Sequence, residues 1–238
     1  MTVGDVPLPE PVRRHLERAL PRDRATPKQV RITQEGEVWR KPGGRALRFT
    51  ASQRFAVDRV AFSWQARFPI VGPLAIAVVD DYASGEGKLE VRVLGLPVQR
   101  QRGHETVRGE ALRYLAELAW APHAIASNPE LDWRELDDGK AEVATEVAGE
   151  RLAVEIEFDG AGDIVRTSSQ MRLIKMEKSW VRRPWGGEFG EYARLGGIRV
   201  PTRAEAYWDL EQGRFVYWRG RVTSVELLDE PIEREAPR

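Results

Sequence analysis

A chain of 238 residues has room for one large β-rich domain or two small ones, and a chain of that size buries roughly 70–75% of its unfolded surface, so neither disulfide nor metal is required to hold it together. Its 37 basic and 37 acidic side chains cancel, which removes any overall electrostatic pull toward nucleic acid or an anionic surface. Cysteine is absent, which excludes disulfides, thiolate nucleophiles and thiolate-bound zinc.

The predicted elements begin after a polar stretch, residues 1–11, that lacks the apolar core of a signal peptide. Residues 9–20 read as a short helix, with Val12, Leu16, Ala19 and Leu20 on one face and prolines suited to its first turn. Residues 21–27 read as a linker. Residues 30–40 and 48–57 read as strands around a Gly-Gly turn. In 61–68, Phe62, Trp64, Ala66 and Phe68 fall on one face and Ser63, Gln65 and Arg67 on the other, the period of a half-buried strand. Strands 74–82 and 88–94 flank a loop whose two glycines adopt positive φ cheaply. The first of these is apolar on both sides up to Asp80, as expected of a central strand covered on both faces.

Residues 110–120 give the strongest helix signal. Leu112, Leu115, Ala116 and Ala119 form its apolar stripe, Arg113 and Glu117 stand four apart, and Pro122 is expected to end it. Strands follow at 131–136, 141–147, 151–158 and 164–174. After a Trp-bearing connection at 175–188 come strands at 189–195, 198–209 and 213–227, then an acidic tail from 229 expected to fray. No run reaches the ~18 apolar residues of a membrane helix, so no integral membrane segment is expected, and the protein reads as soluble and cytoplasmic. The pattern predicts one mainly β (α+β) domain over residues 1–238. Its single antiparallel sheet, curved or a half-barrel of about ten strands, carries an N-terminal helix and linker (1–27) and a central helix on the concave face.

Three functional readings follow. A half-barrel too wide for its own side chains to fill leaves a cavity, and eight tryptophans offer an aromatic lining. An apolar or amphipathic small molecule would then lie between sheet and helix against Phe62, Trp64, Phe68, Leu115 and Trp120, beside Glu117, with Arg67 or Arg113 meeting a charged head. Alternatively, Glu117 and His123 form an acid–base pair of an enzyme. The third reading is a partner-binding module that uses the sheet edges.

Asp80, Asp81 and Glu86 read as a solvated hairpin end, since the ligand spacing of a calcium loop is missing. Serine-hydrolase, Walker and dinucleotide-binding motifs are missing too, and the three histidines are far apart in sequence. No cofactor and no metal are expected. Arg13, Arg14, Arg22 and Arg24 give the first 60 residues a basic excess, but without an RNA-binding signature nucleic acid is not an expected partner.

Motifs of the form F-x-W-x-A-R at 62–67, D-x-Y-x-x-G-x-G at 80–87 and R-Y-L-x-E-x-x-W-x-P at 113–122, with G-G-I-R-V-P at 196–201, resemble a broad bacterial family of unknown function. That resemblance spans roughly residues 8–228 and implies no activity. More weakly, the order of strands and helices is similar to that of periplasmic lipoprotein carriers of the LolA and LolB type. It implies a curved sheet whose mouth is plugged by helices and whose hollow takes acyl chains, although this chain shows no export signal of the kind such carriers use.

Overall fold

The computed structural model describes residues 8–21, 25–72, 74–137, 139–176 and 179–232. Much of the polar start, the middle of the expected linker and the end of the acidic tail lie outside the described residues. In chain order the elements are α1 (Glu10–Ala19), β1 (Gln29–Val38), β2 (Leu47–Ala56), β3 (Phe62–Val71), β4 (Leu74–Ala83), β5 (Glu86–Val93), β6 (Leu96–Gln101) and α2 (His104–Ala116). A 3-10 turn (Leu118–Trp120) and α3 (Pro122–Ser127) lead to β7 (Asp132–Glu135), β8 (Lys140–Val147), β9 (Glu150–Phe158), β10 (Ile164–Ser169), β11 (Leu173–Met176), β12 (Ser179–Arg182), β13 (Trp185–Leu195), β14 (Ile198–Leu210) and β15 (Gly213–Leu228).

Among the described residues, thirteen strands form one antiparallel sheet in the order β6-β5-β4-β3-β2-β1-β15-β14-β13-β10-β9-β8-β7, and β11 and β12 make a separate hairpin. The expected ten strands are therefore too few. β6 was not expected because every residue in it is exposed, which leaves no inside–outside alternation to read. The strand expected at 164–174 breaks after Ser169, whose Oγ accepts a hydrogen bond from the Met171 amide at 3.2 Å.

α2 touches β4 and β5 near one end of the sheet and β8, β9 and β10 near the other. Strands so far apart in sheet order reach one helix only if the sheet curls around it, so α2 lies on the concave side. The sheet does not close, and β6 and β7 remain as edges. Enclosure also changes the helix. Instead of one apolar stripe, α2 buries Thr106, Arg108, Glu110, Ala111, Leu112, Tyr114, Leu115 and Ala116. It starts six residues earlier than expected, after Gly103 at φ 113°, and Pro122 opens α3 rather than ending the chain's helical run. No helix among the described residues is long and apolar enough to cross a membrane.

Two glycines allow a close approach where β1 meets β15. Gly36 pairs with Gly220, a Cβ on Gly220 would run into the Trp218 indole, and one on Gly36 would meet the Arg219 carbonyl. Trp218 thus lies flat along the inner face over its own strand. Gly220→Ala is expected to cost about 1–3 kcal/mol by overpacking and to shift tryptophan emission, read by urea titration and fluorescence. An unchanged midpoint would show that Trp218 can move aside freely.

Candidate functional site

The inner face divides into a closed part under α2 and a half-open part beyond it. In the closed part, Phe62 is 1% exposed, Leu115 0% and Trp120 3%, so they are core rather than ligand-accessible wall. Trp64 is also buried, and its Nε1 donates to Gln34 Oε1 at 3.0 Å. Trp120 Nε1 donates to the Pro201 carbonyl at 3.0 Å. The hollow expected between Trp64 and Trp120 is largely filled by these side chains and the rings around them.

Within this closed part the chain brings together charges far apart in sequence. Arg113 Nη1 donates to Asp80 Oδ2 at 2.5 Å and Nε to Glu117 Oε1 at 2.8 Å, while Gln53 Nε2 donates to Glu117 Oε2. The guanidinium also lies 5.0 Å from the Phe62 ring centroid and 5.1 Å from that of Trp64. Burial alone would lower the Arg113 pKa, but Glu117, Asp80 and Glu110 together more than reverse this, so it stays charged. Burial pushes Asp80 up, against the pull of Arg113. Burial, then the charge of Asp80, pushes Glu110 up to about 8. Asp80 Oδ1 and Glu110 Oε2 are both buried without a hydrogen-bond partner among the described residues. At neutral pH Glu110 is therefore held in its protonated form, which avoids a second buried negative charge beside Asp80. Next to this network Arg172 lies 4.0 Å above the Trp185 ring, whose Nε1 donates to the Tyr217 hydroxyl at 2.9 Å.

The half-open part lies toward the β3–β4 hairpin. Its register runs Ile76–Phe68, then Phe49–Gly36–Gly220–Ala204–Phe189 across seven strands. The aromatic rings form a chain. Phe49 is 5.8 Å from Phe68 and 5.8 Å from Trp218, Trp218 is 6.1 Å from Trp120, and Trp120 is 5.5 Å from Phe189. Phe68, Trp218 and Phe189 are each only half-buried, as are Ile76, Val78, Val91 and Val93 beside them.

Of the residues singled out from sequence, the structure thus groups Phe62, Trp64, Arg113 and Glu117 and places Phe68 on the half-open surface. Arg67 is a correction. It alternates with Trp64 and stands exposed on the outer face. There it helps line an open groove of about 720 Å³ with Arg48, Arg219, Arg221, Glu35 and Glu37. The Glu117–His123 pair gains no support, because the Glu117 oxygens accept from Arg113 and Gln53. Sequence reasoning passed over Asp80 as part of a solvated hairpin and missed Glu110, Phe49, Phe189 and the role of Trp218. A carboxylate closing the doubly apolar run 74–79 was the one signal that pointed to Asp80.

Fold and site together define an open antiparallel half-barrel wound on a helix, with a half-exposed aromatic lining. The chain belongs to the family of unknown function DUF6544, whose model matches residues 5–220. A comparison with curated proteins finds no match. Among solved structures the chain is similar to a LolA superfamily protein from Nitrosomonas europaea, at 11% identity and TM-score 0.47 over 93% of each chain. It is also similar to a putative outer membrane lipoprotein-sorting protein domain from Vibrio parahaemolyticus, at 9% identity and TM-score 0.49 over 94% of this chain and 93% of that one. A third is a DUF1329 family protein from Desulfovibrio piger, at 12% identity and TM-score 0.40 over 85% and 86% of the two chains.

Proposed function

We propose that the protein binds, without catalysis, an amphipathic small molecule whose apolar part lies along the half-open inner face. The observation that carries this reading is the row of half-exposed Phe68, Trp218 and Phe189, beside Ile76 and Val78, on the side of the sheet that should be core. Half-exposed aromatics in contact with a buried cluster offer large apolar area at a low entropic cost of ordering. An amphipathic ligand fits better than a purely apolar one, because the Arg113–Glu117 pair lies behind Trp64, whose ring meets Phe49 of that surface at 5.7 Å.

The test is a tryptophan-fluorescence titration with oleate. Saturable quenching is expected, weakened about tenfold by Trp218→Ala, because a half-buried lining residue contacts ligand as well as core. Trp64→Ala is instead expected to act on stability, since its indole is enclosed and hydrogen-bonded. A response that never saturates, or that Trp218→Ala leaves intact while Trp64→Ala abolishes it in a folded protein, counts against this placement of the ligand.

A further inference from the structure

The hairpin ends β1–β2, β3–β4 and β5–β6 lie side by side at one end of the sheet. Val38 faces Leu47, Val71 faces Leu74 and Val93 faces Leu96, and β1, β3 and β5 all run toward that end. Eight large apolar side chains are exposed among the described residues, and seven of them sit here. Val71 is 73% exposed, Leu94 68% and Leu96 69%, which leaves these side chains in water rather than covering core.

The β5–β6 turn shows that exposure has a cost. Leu94 and Gly95 form a two-residue turn with φ of 53° and 79°. A turn with positive φ at both central positions favours Asn, Asp or Gly at the first, and a bulky apolar residue is strained there. At equivalent positions the β4–β5 turn has Ser84, the β8–β9 turn Ala148 and the β13–β14 turn Gly196. A leucine held in the left-handed region and left in water has no folding advantage, and such strain marks places where the residue is needed for something else.

Charge is polarised toward the same end. The tip segments 38–50, 66–76 and 91–100 carry seven arginines and lysines and no carboxylate, although the whole chain is neutral. Glu90 engages Arg92 and Arg100 from below. Arg48 is 86% exposed and its contact with Glu37 is long, at 3.7 Å, and Arg67 is exposed on the outer face. Arg67 and Arg92 line one open hollow of about 350 Å³ together with Leu74 and Leu94, so cationic and apolar groups face the same space.

We propose that this end of the sheet docks on the surface of an anionic phospholipid bilayer. The β3–β4 and β5–β6 tips insert to the depth of the headgroups, and Arg48, Arg67 and the cations of the β1–β2 turn meet lipid phosphates. Separate projecting apolar tips ringed by cations suit a soft interface of acyl chains and negative headgroups better than a flat protein partner. The inference stands apart from the ligand reading, since docking needs no bound amphiphile.

Sedimentation of the full chain with vesicles tests it. Binding is expected to phosphatidylcholine vesicles containing about one-third phosphatidylglycerol and not to phosphatidylcholine alone, and it is expected to weaken at high salt as screening shortens. Val71→Asp and Arg67→Glu, both at exposed positions, should each lower the partition at least tenfold with thermal midpoints unchanged. Leu94→Asn is the most discriminating variant. It should raise stability by relieving the turn while lowering vesicle binding. Absence of binding to anionic vesicles at low salt overturns the proposal, as does equal binding by these three variants. So does a solution dimer that Val71→Asp dissociates in a protein that ignores vesicles, which would assign the tips to contact between copies.

Discussion

Arg113→Ala is expected to lower folding stability by about 3–5 kcal/mol, the cost of leaving buried carboxylates without their counterion. The Arg113 side chain is 13% exposed and Asp80 7%, so water cannot take over the lost contacts as it would at the surface. Without the guanidinium, Asp80 loses its nearest opposite charge, and Glu117 keeps the hydrogen bond from Gln53. Arg113→Lys should recover only part of the loss. One ammonium replaces a fork that donates to two carboxylates and lies against Phe62 and Trp64. Urea midpoints at neutral pH measure both. A loss below about 1 kcal/mol for Arg113→Ala would put this network in the class of exposed ion pairs, against its burial.

Alternating strands were legible because one face is core and the other water. β3 and β9 repeat apolar residues every second position and lie where that period placed them. Elements that lack this contrast were not legible. β6 is an edge strand with no buried face, and β11 and β12 pair only with each other outside the main sheet. The central helix was visible, but its surroundings were not. A stripe of Leu112, Leu115, Ala116 and Ala119 predicts one packed face, whereas a sheet wrapped around α2 buries Glu110 and Tyr114 too.

The aromatic lining shows the same division. Alternation separates Arg67 from Trp64, and the structure keeps them on opposite faces. Which aromatics remain half-exposed depends on how far α2 and the 3-10 turn extend across the sheet, and no local pattern encodes that. Asp80 and Glu110 are the extreme case. Each sits in a segment where a carboxylate reads as solvated, and only the crossing of β4 by α2 turns two ordinary acids into a buried pair.

That pair gives the protein an unusual dependence on pH. Glu110 is held up to about 8 in the folded chain by burial and by Asp80, whereas an unfolded glutamate titrates near 4.5. Between these values the folded state keeps a proton that the unfolded chain has released, so stability falls as pH rises through the window. A shift of that size corresponds to roughly 5 kcal/mol over the whole window and about 1–2 kcal/mol between pH 7 and 9.

The upper half is the cleaner measurement. His15, lowered by burial, contributes stability that is lost only as pH falls below its unfolded value of 6.5, so it is neutral in both states there. Glu110→Gln keeps a neutral hydrogen-bond donor beside Asp80 at every pH. It is expected to flatten the urea midpoint between pH 7 and 9 and to be more stable than the parent at pH 9. Asp80→Asn removes the nearer negative charge and leaves burial, with the smaller effect of Glu117, to raise Glu110, so the fall in stability should begin at a lower pH. A parent protein whose midpoint is flat from pH 7 to 9, or a Glu110→Gln variant that retains the full slope, would show that Glu110 is not held protonated in the folded chain.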